Sequence, residues 1–217
     1  MVKAVLFDLD GTLCNSLPDI AESANHALRQ LGYPGYEQEA YKQFVGSGVK
    51  KLISRMLAKY PHDAADEARL LEVYQDIYHE HSLDKTHPYD GVRELLDELR
   101  RRGIRAAVVS NKPMPDTRKV IAALFLPEDF AFVYGQKEPF APKPDPAAVF
   151  YVLAQLGAKP EECLFVGDSG VDMQTAENAG IFSVGALWGF RSREELTENH
   201  ACTVCANARE IIPLLDR

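Results

Sequence analysis

Two carboxylates, Asp8 and Asp10, stand one residue apart at the end of the apolar run Val2–Phe7, and Gly11-Thr12 follows at once. A buried strand does not ordinarily finish in paired acids, because a desolvated carboxylate is costly unless a cation or hydrogen bonds compensate it. The pair therefore implies a cation, and the chemistry open to such acids is displacement at phosphorus. Asp8 is the candidate nucleophile: its attack gives an aspartyl-phosphate and divides one difficult displacement into two. Asp10 can protonate the leaving oxygen and later deprotonate a water. Magnesium suits the site, since it is hard, takes oxygen ligands and is commonly held by one or two carboxylates plus substrate phosphate. Gly11 lets the chain turn away closely after the strand.

Three further segments carry matching chemistry. Ser110-Asn111, after the run Ile104–Val109, offers a hydroxyl and backbone N–H groups to phosphoryl oxygens. Lys143 sits in Ala141-Pro142-Lys143-Pro144-Asp145-Pro146, where three prolines fix the backbone around one ammonium. Held there, it would balance the nucleophile and the developing phosphoryl charge. Gly167-Asp168-Ser169-Gly170-Val171-Asp172 supplies two more acids. Asp168 would complete the metal's protein ligands. Asp172, one helical turn on, would face the same site and support it. The competing reading is that these acids serve the start of the following helix, as cap and dipole partners.

The elements that must position these residues can be read from periodicity. The runs Val2–Phe7, Ile104–Val109, Phe130–Tyr134, Cys163–Val166 and Phe182–Val184 predict buried strands. Between the later ones lie helical patterns, Val92-Leu95-Leu96-Leu99 and Ala147-Phe150-Leu153-Leu156. Alternation of this kind predicts an α/β fold with a doubly wound parallel sheet, whose ligands bind at the carboxyl ends of the strands. Residues 15–85 break the rhythm: no strand pattern, and helices expected from Ser16 as N-cap through Ala24, Ala27, Leu28 and Leu31 to Gly32, then over 36–44, 49–59 and 64–81. A compact helical cap, 15–85, inserted into an α/β catalytic core of 1–14 and 86–217, would lie over the strand ends as a lid.

The totals are ordinary for a globular chain of 217 residues, 46% hydrophobic and 26% charged. A net charge of −8 argues against a nucleic-acid partner, which would call for clustered Lys and Arg. No apolar run approaches the ~20 residues of a membrane span, so a soluble cytoplasmic protein is expected. The four cysteines fit free thiols in a reducing compartment. Cys202-Thr203-Val204-Cys205 lacks the second ligand pair of a zinc site and reads as a short strand.

Taken together and in this order, the four segments resemble the haloacid dehalogenase superfamily of phosphohydrolases. Asp8-Leu9-Asp10-Gly11-Thr12 is similar to its first motif, Ser110-Asn111 to the second, Lys143 to the third, and Gly167-Asp168-Ser169 with Asp172 to the fourth. The resemblance implies that Asp8, Asp168 and the Asp10 backbone carbonyl bind Mg2+, with Asp172 in support. It implies phosphate contacts from Thr12, Ser110, the Asn111 backbone and Lys143. Gly46-Ser47-Gly48, and Ala186 through Ser192 followed by Glu194-Glu195-Leu196, resemble the phosphoglycolate phosphatase group. Asn15 departs from the Asp of many relatives, and the segment around Cys202 lacks their usual Ala-Asp start. The reaction implied is hydrolysis of a small phosphorylated metabolite. The alternatives are a phosphosugar mutase, a nucleotide or pyrophosphate hydrolase, or a non-catalytic binding protein on the same fold. Gly46, Gly48, Lys50, Lys51 and Arg55 are the expected specificity residues of the cap, while Trp188, Phe190 and Arg191 either line the cleft or pack on neighbouring helices.

Overall fold

The computed structural model describes residues 1–217. In chain order the strands are β1 (Ala4–Phe7), β2 (Cys14–Asn15), β3 (His87–Pro88), β4 (Arg105–Pro113), β5 (Phe132–Gln136), β6 (Cys163–Gly167), β7 (Phe182–Ala186) and β8 (Thr203–Cys205). The helices are α1 (Leu17–Gln30), α2 (Gln38–Phe44), α3 (Val49–Leu57), α4 (Ala64–His81), α5 (Val92–Arg101), α6 (Met114–Leu124), α7 (Ala147–Leu156), α8 (Gly170–Ala179) and α9 (Arg193–Glu198). No helix is long and apolar enough to cross a membrane.

Strand β1 is four apolar residues, all buried, and it lies at the centre of the main sheet. It pairs in parallel with β4 and β6, so that Phe7 stands opposite Val108 on one side and Val166 on the other. The full order is β5-β4-β1-β6-β7-β8, every neighbour parallel. Alternate residues of β1 serve opposite faces, as strand geometry requires. Val5 and Phe7 join a 22-residue core with α5 and the C-terminal turn, whereas Ala4 and Leu6 join a 15-residue core with α7 and α8. Each fully buried Leu, Val or Phe in these layers contributes about 1.5–3 kcal/mol. This is the doubly wound parallel sheet that the alternating runs predict.

Helices α1–α4 gather a separate 16-residue core, to which the sheet region lends Phe190. The chain enters and leaves this bundle side by side, because β2 and β3 pair antiparallel, Asn15 against His87. That short ladder fixes the bundle next to the carboxyl end of β1.

The structure corrects several local expectations. Ser16 does not cap α1 with its side chain. Its hydroxyl donates to Asp10 Oδ1 at 2.6 Å, and its backbone is helical (φ −98°, ψ −2°) rather than in the extended conformation that aims an N-cap oxygen at the first N–H groups. Asp19, three residues into the helix start, accepts hydrogen bonds from Lys85 N, Thr86 N and Thr86 Oγ1 across the base of the bundle. Phe150 is 45% exposed rather than in the core; α7 buries Val149 and Val152 instead, so its apolar face is rotated from the predicted one. Strand β4 runs on to Pro113, which places Ser110 and Asn111 within the strand rather than beyond it.

Candidate active site

The first turn after β1 is shaped around acids. Asp8 is 6% exposed, and its Oδ1 accepts the Leu9 N–H at 2.7 Å. Gly11, at φ +83°, reverses the chain. A Cβ on Gly11 would fall 2.3 Å from Asp168 Oδ2, and one on Gly189 would fall 2.3 Å from Asp168 Cβ and from the Gly11 carbonyl. Glycine at both positions is what leaves room for the Asp168 carboxyl. Gly167 does the same for Asp172, whose Cβ lies 2.2 Å from where a Cβ on Gly167 would stand.

Into this space three elements deliver Asp8, Asp168 and Asp172, with ligand oxygens all within 4.8 Å of one another and all buried. Lys143 lies between two of them, its ammonium 3.0 Å from Asp8 and 2.6 Å from Asp172. The backbone of Lys143 is pinned from β4, since Lys143 N donates to Asn111 Oδ1 at 2.7 Å and Asn111 Nδ2 donates to the Lys143 carbonyl at 3.1 Å. Asp172 also accepts from Ser169 N and Oγ on its second oxygen, closing a capping box at the start of α8. Asp172 thus caps α8 with one oxygen and meets Lys143 with the other. Asp168 accepts from Thr12 Oγ1 at 3.2 Å and from Phe190 N at 2.8 Å.

Four acids (Asp8, Asp10, Asp168, Asp172) meet two ammonium groups (Lys112, Lys143), which leaves two negative charges unmatched when all are ionised. The electrostatics register the deficit. Burial pushes the Asp8 carboxyl up to about 6, against the pull of Lys143 and with the repulsion of Asp172 and Asp10 added. Burial, then Asp172 and Asp8, hold Asp168 well above the ordinary carboxylate range. For Lys143 burial acts downward, yet the facing Asp172 and Asp8 carboxylates win and raise it. Three convergent hard oxygen donors that lack two positive charges fit a divalent cation of the magnesium type.

The other predicted site residues take the following partners. The Asp10 carboxylate lies outside the three-acid cluster, drawn to Lys112 at 3.0 Å and to Ser16. The Asp172 carboxylate lies inside it. Thr12 spends its hydroxyl on Asp168 instead of facing the open space. That open space is a cavity of about 60 Å3 bounded by Asp8, Asp10, Ser110, Asn111, Lys112 and the helical bundle. Gly46 and Gly48 border it, as expected, but Lys50, Lys51 and Arg55 do not. Lys50 and Lys51 are solvated on the outer face of α3. Arg55 turns inward to the Phe44 carbonyl (2.8 Å) and Ser47 Oγ (3.1 Å), ordering the glycine turn from behind. Trp188, Phe190 and Arg191 pack rather than line the cavity. The Trp188 indole N–H donates to the Thr12 carbonyl at 2.9 Å, and Arg191 donates to the carbonyls of Lys42 and Val45.

Two groups escaped the sequence reading. Lys112 is 7% exposed at the end of β4, with its ammonium on both Asp10 oxygens. The signal was its place directly after Ser110-Asn111. Tyr78 of α4 meets the same ammonium at 2.5 Å, and no local pattern distinguishes it from the other apolar positions of its helix.

Comparison with known proteins agrees with this geometry. The family model described as haloacid dehalogenase-like hydrolase matches residues 5–186. A phosphoglycolate phosphatase of Pseudomonas syringae pv. tomato is 35% identical over 97% of this chain and 79% of its own length. One from Vibrio parahaemolyticus is 32% identical over 99% and 96%. A crystal structure from Lactobacillus delbrueckii subsp. bulgaricus, described as that of a candidate phosphoglycolate phosphatase, superposes with a TM-score of 0.93 at 31% identity, covering 98% of each chain. With its acids, sheet order and full-length likeness in accord, the chain belongs to the haloacid dehalogenase-like hydrolase family.

Proposed function

We propose that this phosphatase hydrolyses small phosphate monoesters through an aspartyl-phosphate on Asp8, with Mg2+ as cofactor and 2-phosphoglycolate as the leading substrate. The observation that carries the reading is the buried cluster of Asp8, Asp168 and Asp172 around Lys143 at the carboxyl end of the central strand. In the first half-reaction an Asp8 oxygen bonds to phosphorus as the bond to the ester oxygen breaks, and Asp10 gives that oxygen a proton. In the second, Asp10 takes a proton from water, the water oxygen bonds to phosphorus, and Asp8 leaves as carboxylate. Lys143, held by Asp172, balances charge on Asp8 and the phosphoryl oxygens. Ser110 and Asn111 border the cavity where those oxygens would lie, while Thr12 positions Asp168. Magnesium would be held by Asp8, Asp168 and the Asp10 carbonyl, with Asp172 supporting, and would offset the repulsion between these acids and the phosphate.

Residues 1–14 and 86–217 then form the catalytic core, and 15–85 a cap that encloses the ester. The small cavity favours a compact substrate, the charge of −8 disfavours nucleic acid, and four free thiols suit the cytoplasm. The name carried by the relatives from Pseudomonas and Vibrio supports 2-phosphoglycolate. The test is phosphate release from a panel of esters with and without magnesium. Wild type should release phosphate only with the metal, and Asp8→Asn should abolish release while its circular dichroism stays native. Unchanged turnover in Asp8→Asn refutes the nucleophile, and isomerised sugar phosphate without free phosphate would make the enzyme a mutase.

A further inference from the structure

Asp10 is the proposed acid and base, yet both of its carboxylate oxygens already have partners. Both oxygens accept from the Lys112 ammonium at 3.0 Å, and Oδ1 accepts from Ser16 as well. The third proton of Lys112 goes to the Tyr78 hydroxyl at 2.5 Å, with the Tyr78 ring centroid 4.6 Å away. An ammonium has three N–H donors and no more, so Lys112 gains a new partner only by giving up an old one. Burial works against its charge, and the neighbouring groups, Asp10 foremost, together outweigh burial. Lys112 is also the only cationic side chain bordering the cavity; the other charged groups there, Asp8, Asp10 and Asp116, are acids. Opposite it the bundle presents the apolar Ile20, Val45, Val49 and Leu52.

We propose that Lys112 recognises a carboxylate on the leaving group of the ester and, by exchanging Asp10 for that carboxylate, frees Asp10 to transfer protons. The inference rests on the phosphatase reading and deepens it: the substrate class is a phosphate monoester that bears a carboxylate close to the ester oxygen. A buried ammonium stripped of its counterion is strongly unfavourable, so Lys112 releases Asp10 only to another anion. An ester with a neutral leaving group leaves the ion pair closed and Asp10 occupied. Selectivity therefore arises in the chemical step as well as in binding. Tyr78 couples the same exchange to α4, because the helical bundle contributes one of the three acceptors.

The experiment compares 2-phosphoglycolate with ethyl phosphate, which has a methyl group in place of the carboxylate, in the presence of magnesium. Wild type should prefer the carboxylated ester by on the order of tenfold or more in kcat/KM, the loss with ethyl phosphate falling on kcat as well as KM. Lys112→Met should bring the two esters toward equality, and Lys112→Arg should restore part of the preference. Equal turnover of the two esters by wild type overturns the inference without any variant. So does a Lys112→Met enzyme that slows both in the same proportion, or a difference confined to KM. If neither these esters nor p-nitrophenyl phosphate yields phosphate, the phosphatase reading fails, and this inference with it.

Discussion

Asp168 is the side chain on which the charge balance of the site turns. Its oxygens accept from Thr12 and Phe190 N, but neither partner carries charge, and the two nearest acids repel it. Hydrogen bonds alone do not offset a buried anion that also faces like charges. A divalent cation would, and because it binds only the assembled cluster it would add to folding stability by mass action. Magnesium at about a hundredfold excess over its dissociation constant should stabilise wild type by about 2.7 kcal/mol. For a chain of this size that is a rise of roughly 5–10 °C in Tm. Asp168→Asn should lose the rise while keeping or gaining stability without metal, since the amide removes a repelling charge at constant shape. A magnesium-induced shift of wild-type size in Asp168→Asn, measured by calorimetry, would take Asp168 out of the ligand set.

Helix α1 shows how an element can be set by contacts its own sequence does not announce. Ser16 and Asp19 have the types and spacing of a helix start, but each side chain leaves its own helix. Ser16 is taken by Asp10, and Asp19 by the segment that returns from the bundle. Asp19 is 2% exposed, and it satisfies two backbone N–H groups and the Thr86 hydroxyl. Asp19→Ala strands those buried donors, each costing about 1–3 kcal/mol when unpaired. The variant should therefore lose roughly 2–4 kcal/mol in urea unfolding, and protease should cut first near residues 82–86. An unaltered midpoint would mean that the β2–β3 pairing alone secures the crossing.

At the scale of the whole molecule, burial acts on the thiols distributed through the sheet. Cys163 and Cys205, in β6 and β8, are pushed by burial from 9.0 up to about 11, with nearby Glu162 and Glu210 adding to the shift. Cys14 goes further in the same direction, burial again leading. Because the folded pKa exceeds the unfolded one, the stabilising contribution is whole below pH 9 and falls away as the pH climbs toward 11. Denaturant midpoints should hold steady up to pH 9 and drop between pH 9 and 11. Substituting Cys163 and Cys205 with Ala should flatten part of that drop. An identical decline in the double variant would assign it to other groups.

The sequence by itself determined the strands of the main sheet, the order of the four acidic and basic segments, and hence the sheet and the family. These are local properties: an apolar run buries itself, and a pair of acids at its end declares a compensated site. Asp8 and Asp168 were legible for that reason, Ser110 and Asn111 by their place after an apolar run, and Lys143 by the three prolines around it. Only the tertiary structure decided which partner each side chain takes. It paired Asp10 with Lys112 from a strand 102 residues away, brought Tyr78 to the same ammonium, and turned the Ser16 and Asp19 side chains to partners outside α1. It also turned Lys50 and Lys51 to solvent and Arg55 to the glycine turn. Such choices depend on which charges become neighbours once water is excluded, and distance along the chain carries no information about that.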